Sequence, residues 1–166
     1  MNDTTQQQNN PQQEKPKVDL ITKFIGSGFF TGYTPFAPGT AGSALGLAFF
    51  FIPGFMDLHV LVPCTFVLFL IGGLAAGKME ELYGQDPGIV TVDEIVGMWL
   101  SVWFIPFTFL NITLAFIIFR VLDILKPYPA AYFDKRTGGW NIMMDDVIAA
   151  VYTNAIIQIV LRVKLF

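Results

Sequence analysis

Thr91-Val92-Asp93-Glu94-Ile95-Val96-Gly97-Met98-Trp99 opens with two adjacent carboxylates and leads into an apolar run that reaches Phe119. Charged residues make up only 14% of the chain, so acids at the mouth of such a run call for a physical reason. An unpaired carboxylate in apolar surroundings costs several kcal/mol or takes up a proton. A bound cation removes that cost. Asp93 and Glu94 therefore read as part of a divalent-metal site at a membrane boundary.

Working outward, the composition points the same way. The 166 residues are enough for one domain with its own core. Hydrophobic residues make up 54% and aromatics 15%, with 17 Phe, whereas soluble domains run at about 45–50% apolar and about 25% charged. The mean hydropathy is +0.56. A membrane protein is the natural class. A net charge of −3 with no basic stripe argues against a nucleic-acid partner. The one cysteine, Cys64, cannot close an intrachain disulfide and has no thiolate partners for a metal. The one histidine, His59, excludes any mechanism that needs two on one chain.

Residues 1–17 form a Gln- and Asn-rich tail without an aromatic residue, predicted to be disordered. From Gly26 to Ser43, seven glycines and prolines in eighteen positions break any long helix, yet four aromatics keep the segment apolar. Pro38-Gly39-Thr40 reads as a turn into a helix with Thr40 as its N-cap. Backbone N–H groups at such an entry suit a phosphate, although a plain capped turn accounts for the same residues. Leu58 to Gly77 carries no charge and matches the roughly 20 apolar residues that span a bilayer core. Lys78, Glu80 and Glu81 end that run.

Thr91 with Glu94 three residues on has the capping-box pattern, which explains Glu94 but not Asp93. Pro106 breaks the long run after Ile95, predicting a helical hairpin joined at Phe107 to Asn111. Arg120, Asp123 and Lys126 follow one face of the next helix, which Pro127 and Pro129 end. A ladder of ion pairs and a phosphate-plus-metal face are both open readings of that spacing. Asn141-Ile142-Met143-Met144-Asp145-Asp146 then repeats the arrangement, an acid pair opening an apolar helix from Val147 to Leu161. The helix dipole favours acids at a helix start. That accounts for one pair more easily than for two in so acid-poor a chain. The predicted fold is all-α: a compact bundle of apolar helices integral to a membrane over residues 18–166, behind the disordered tail.

Three blocks together resemble the phosphatidylglycerophosphatase A family. They are Gly32 to Ser43 (GYTPFAPGTAGS), Asp86-Pro87 with Ile89 to Trp99, and Phe119 to Pro127 followed by Gly138-Gly139 and Ile142 to Val147. The resemblance runs from about Gly26 to the C-terminus. It implies Mg²⁺-dependent hydrolysis of phosphatidylglycerophosphate, a lipid partner, in the bacterial cytoplasmic membrane. No obligate protein partner is implied, and the active site is expected on the cytoplasmic side. Mg²⁺ takes oxygen ligands, commonly one or two carboxylates. Asp93, Glu94, Asp123, Asp145 and Asp146 are the candidate catalytic and metal-ligating acids. Adjacent acids on a helix point about 100° apart, so one of each pair is expected to stand behind the other. Arg120 and Lys126 would face the phosphate, with Gly39, Thr40 and Ser43 supplying hydrogen bonds. Attack by a metal-activated water is the simplest chemistry, and a covalent aspartyl-phosphate fits the same residues. Cysteine- and histidine-nucleophile phosphatases lack the residues they need here. A small transporter would carry acids at mid-span; a purely structural membrane subunit would tolerate amides in place of the acids.

Overall fold

The computed structural model describes residues 18–163, so the expectation for the tail at 1–17 lies outside the described residues. Seven α-helices and no strand occur among those residues. They are α1 (Leu20–Gly26), α2 (Pro38–Ala48), α3 (Leu58–Tyr83), α4 (Val92–Ser101), α5 (Phe109–Leu125), α6 (Ala130–Asp134) and α7 (Gly139–Val163).

Helix α4 is the centre. Every residue from Val92 to Trp99 is buried, because α2, α3 and α7 all pack on this short helix. Its start is held by tertiary contacts. The Thr91 N–H donates to the Gly26 carbonyl at 3.0 Å, and the Thr91 hydroxyl pairs with that of Thr31 at 2.9 Å. The expected capping box is therefore not formed: Thr91 makes no side-chain cap, and Glu94 turns to Ser43 instead. Farther along, the Trp99 indole donates to the Gly46 carbonyl at 3.0 Å. The break before α5 covers residues 102–108, slightly earlier than Pro106 alone suggests. Thr108 caps α5 by accepting from the Asn111 N–H.

Helix α3 has 26 residues and α7 has 25, so they run about 39 and 37 Å at 1.5 Å per residue. Both are long and apolar enough to cross a membrane by length and composition. Phe66, Leu70 and Leu74 on α3 and Ile156, Ile159 and Val163 on α7 face outward. Helix α3 continues through Lys78, Glu80 and Glu81, where the sequence suggested an end. Charged residues are good helix formers, and the first breaker is Gly84, which adopts φ 95°.

The two long helices cross at glycines. A Cβ on Gly139 would lie 2.2 Å from both the Gly73 carbonyl oxygen and the Gly77 nitrogen. Backbone cannot retreat as a side chain does, so Gly139→Ala should force the helices apart. The expected cost is about 3 kcal/mol, a fall in melting temperature of roughly 6–12 °C. Thermal unfolding in detergent micelles checks this; an unchanged melting temperature would mean a looser crossing.

Candidate metal and phosphate site

One end of the bundle gathers most of the charge. From α5, one turn apart, come Arg120 and Asp123, paired at 3.1 Å. From α4 comes Glu94, which accepts a charge-assisted hydrogen bond from Arg120 Nη1. From α2 comes Ser43, whose Oγ lies 2.9 Å from Glu94 Oε2 and 3.3 Å from Arg120 Nη1. Gly39 lies one turn before Ser43. A Cβ there would sit 2.1 Å from Glu94 Oε1 and 3.2 Å from Arg120 Nη2, so a larger residue would push the Glu94 carboxylate from its place beside Arg120. From α7 comes Asp146. One carboxylate oxygen from each of Glu94, Asp123 and Asp146 lies within 4.8 Å of the others.

Two buried atoms at this point have no hydrogen-bond partner: Asp146 Oδ2, an acceptor, and Arg120 Nε, a donor. Buried polar atoms left unpaired are costly. An orphan acceptor beside three carboxylates suits a cation, and an orphan donor on a guanidinium suits an oxyanion. Three carboxylates against one guanidinium also leave an excess of two negative charges. All the donors are hard oxygens, the set that Mg²⁺ or a similar divalent cation takes. The residues fit a divalent ion.

A second group adjoins the first. Lys126 donates to Asp134 at 2.5 Å and to Asp145 at 2.6 Å. Burial alone would lower the Lys126 pKa, but the hydrogen bonds it donates to Asp134 and Asp145, with the charges of those carboxylates, outweigh it and hold the ammonium above the usual lysine range. Asp86 lies within range of Lys126, Asp134 and Glu80. Burial pushes its carboxyl upward, Lys126 opposes the shift, and Asp134 and Glu80 add to it.

Both acid pairs have the same internal geometry. Asp93 Oδ1 accepts from the Glu94 N–H at 3.0 Å, and Asp145 Oδ1 accepts from the Asp146 N–H at 3.0 Å. The second acid of each pair joins the three-carboxylate cluster. Of the first acids, Asp145 pairs with Lys126, while Asp93 stays buried behind Glu94.

The structure thus brings Glu94, Asp123, Asp146, Arg120, Ser43 and Gly39 together, with Asp145 and Lys126 next to them. Thr40 does not join them; it is exposed on the first turn of α2. Nor is it the cap of α2, which starts at Pro38 after Ala37 in a left-handed conformation. Lys126 leaves the face expected for it. It ends α5 at φ 45°, and this swings it toward α6 and α7. The second acid pair does not open its helix either. Helix α7 begins at Gly139, leaving Asp145 and Asp146 in the second turn, where the dipole explains little. Asp134 and Glu80 were missed by sequence reasoning: Glu80 stands with Lys78 and Glu81 at the polar end of an apolar run, and Asp134 with Lys135 and Arg136 in what reads as a loop, so neither stands out as a site residue.

Carboxylates that suit a cation, with a guanidinium and an ammonium that suit an oxyanion, give one end of this all-helical bundle the side chains of a phosphate-handling site. A sequence model of the family Phosphatidylglycerophosphatase A matches residues 24–161. The chain belongs to the phosphatidylglycerophosphatase A family and is a phosphoric monoester hydrolase.

The chain is similar to a Haemophilus influenzae protein named Phosphatidylglycerophosphatase A, 34% identical over 151 residues that cover 87% of this chain and 91% of that protein. An Escherichia coli protein of the same name is 31% identical over 136 residues, 80% of this chain and 79% of that protein. A Bacteroides thetaiotaomicron protein named "Putative phosphatidylinositol-3-phosphatase" is 39% identical over 151 residues, 86% of this chain and 95% of that protein. No solved structure matches.

Proposed function

We propose that residues 18–166 form a Mg²⁺-dependent membrane phosphatase that hydrolyses the terminal phosphomonoester of phosphatidylglycerophosphate to phosphatidylglycerol and phosphate. The observation that carries this reading is the meeting of Glu94, Asp123 and Asp146 beside Arg120. The substrate follows from the names of the Escherichia coli and Haemophilus influenzae relatives. Those bacterial relatives and the two apolar helices favour the cytoplasmic membrane. Lys78, Lys126, Lys135 and Arg136 lie at the site end of α3, α5 and α7, which favours a cytoplasmic site by the positive-inside rule.

Glu94, Asp123 and Asp146 would hold the ion, and Mg²⁺ bound there supplies positive charge to the phosphate oxygens. Arg120 keeps Nη1 on Glu94 and Asp123 and offers its free Nε–H to a phosphate oxygen. Lys126, held fully protonated, adds a fixed positive charge beside it. Ser43 fixes the Glu94 carboxylate. Hydrolysis breaks the phosphorus–oxygen bond to the glycerol and forms one to the water oxygen. One proton moves from that water to the departing glycerol oxygen. Asp93 accepts from the Glu94 N–H and so helps to hold the turn that presents Glu94 to the ion.

A second reading has a specific basis, the phosphatidylinositol-3-phosphatase name of the Bacteroides relative. Phosphate release from phosphatidylglycerophosphate, phosphatidylinositol 3-phosphate and phosphatidic acid in mixed micelles separates the two. The expected result is a kcat/KM for phosphatidylglycerophosphate at least about tenfold above the others. Preference for the inositol lipid would transfer the chain to the second reading. Release from none of the three would end the phosphatase proposal.

A further inference from the structure

Beside the site, α3 and the loop before α7 enclose a cleft of about 380 Å³, lined by Gly77, Glu80, Glu81, Gln85, Thr137 and Gly138. The catalytic groups named above do not use it. Glu80 is only 9% exposed. Its Oε2 accepts from the Gly138 N–H at 2.6 Å, whereas its Oε1 is buried and has no partner. A buried carboxylate oxygen without a donor is costly, so a ligand that brings a donor gains correspondingly. The cleft has room for such a ligand, since a water molecule takes about 30 Å³ in the liquid.

The cleft also lies along α7 from the acids. Gly138 precedes the first residue of α7, so it stands about 10 Å along the axis from Asp145 at 1.5 Å per residue. The close crossing at Gly77 and Gly139 holds this wall fixed relative to the acids. Lys126 meets Asp145 in the second turn of the same α7, so the cleft wall and this ammonium lie along one stretch of that helix. Glu80, Glu81 and nearby Asp86 make the region unfavourable for a second anion. What fits is a neutral group that carries an O–H donor.

We propose that this cleft is the headgroup subsite, in which Glu80 Oε1 accepts a hydrogen bond from a hydroxyl of a polyol headgroup while the phosphate lies at Arg120 and Lys126. Gln85 and Thr137 line the same subsite. The inference rests on the phosphatase reading and deepens it: Glu80 is a specificity-determining residue. A glycerol unit and an inositol ring share the required chemistry.

The test compares Glu80→Gln with the unmodified protein on phosphatidylglycerophosphate, phosphatidylinositol 3-phosphate, phosphatidic acid and p-nitrophenyl phosphate. The last two carry no headgroup hydroxyl. Glutamine keeps a carbonyl for the Gly138 N–H, so the fold should hold. The expected result is a rise in KM of about tenfold or more for a polyol lipid, with kcat within about twofold and both hydroxyl-free substrates unchanged. Which polyol lipid loses affinity identifies the source of the hydroxyl. An equal change on all substrates, or none on either polyol lipid, overturns the subsite. If Glu80→Gln does not fold, Thr137→Val at the rim is judged by the same selective rise. Failure of the unmodified protein on both polyol lipids would instead sink the phosphatase reading itself.

Discussion

Replacing Asp146 with Asn should lower phosphate release by about a hundred- to a thousandfold, the scale of losing one preorganised charge at a phosphoryl-transfer site. The fold should survive the change. Asp146 is buried, and its Oδ2 has no partner, so this carboxylate is a burden on the folded state. Exchanging it for a neutral amide of the same shape removes a buried charge from beside Glu94 and Asp123. The melting temperature of Asp146→Asn should match or exceed that of the unmodified protein. Loss of activity with retained or increased stability marks a residue kept for function at the expense of stability. Phosphate release and thermal unfolding on the same preparation check both halves. Full activity in the variant would remove Asp146 from the site.

Chelation should have a comparable effect through a different route. With EDTA in excess, turnover should fall to background, and added Mg²⁺ should restore it. The three carboxylates face one another with a single guanidinium between them, and one positive group cannot balance both them and an incoming phosphate. Without the ion, the substrate would be repelled from the residues meant to hold it. Phosphate release before and after chelation measures this, and turnover that persists in EDTA would count against a metal-dependent reaction.

Much of this was legible in the sequence because charge is so scarce in it. In an apolar chain each acid pair stands out, and pairs on two separate helices suggested a shared ion before any contact was known. That an apolar helix starts at the Asp93-Glu94 pair was legible as well, whereas its burial on all sides was not, because α2, α3 and α7 reach it from distant parts of the chain. Tertiary competition was harder to read. Thr91 has the spacing of a capping residue, but Thr31, sixty positions away, takes its hydroxyl. Lys126 has the spacing of a helix-face residue, but one left-handed backbone angle before Pro127 redirects it. Helix α7 starts at a glycine that looks like loop punctuation, because Gly139 packs against α3 backbone that no local pattern reveals. Glu80 looked like the polar end of an apolar run, and only the arrival of Gly138 gives it a second role.

The central claim is that carboxylates from α4, α5 and α7 hold one divalent ion. Titrating the detergent-solubilised protein with Mn²⁺ and counting bound ions by electron paramagnetic resonance tests it without reference to turnover. The predicted result is one saturable ion per chain, displaced by Mg²⁺ and lost in Asp146→Asn. An unmodified protein that binds no ion, or a variant that binds it equally well, would contradict the claim.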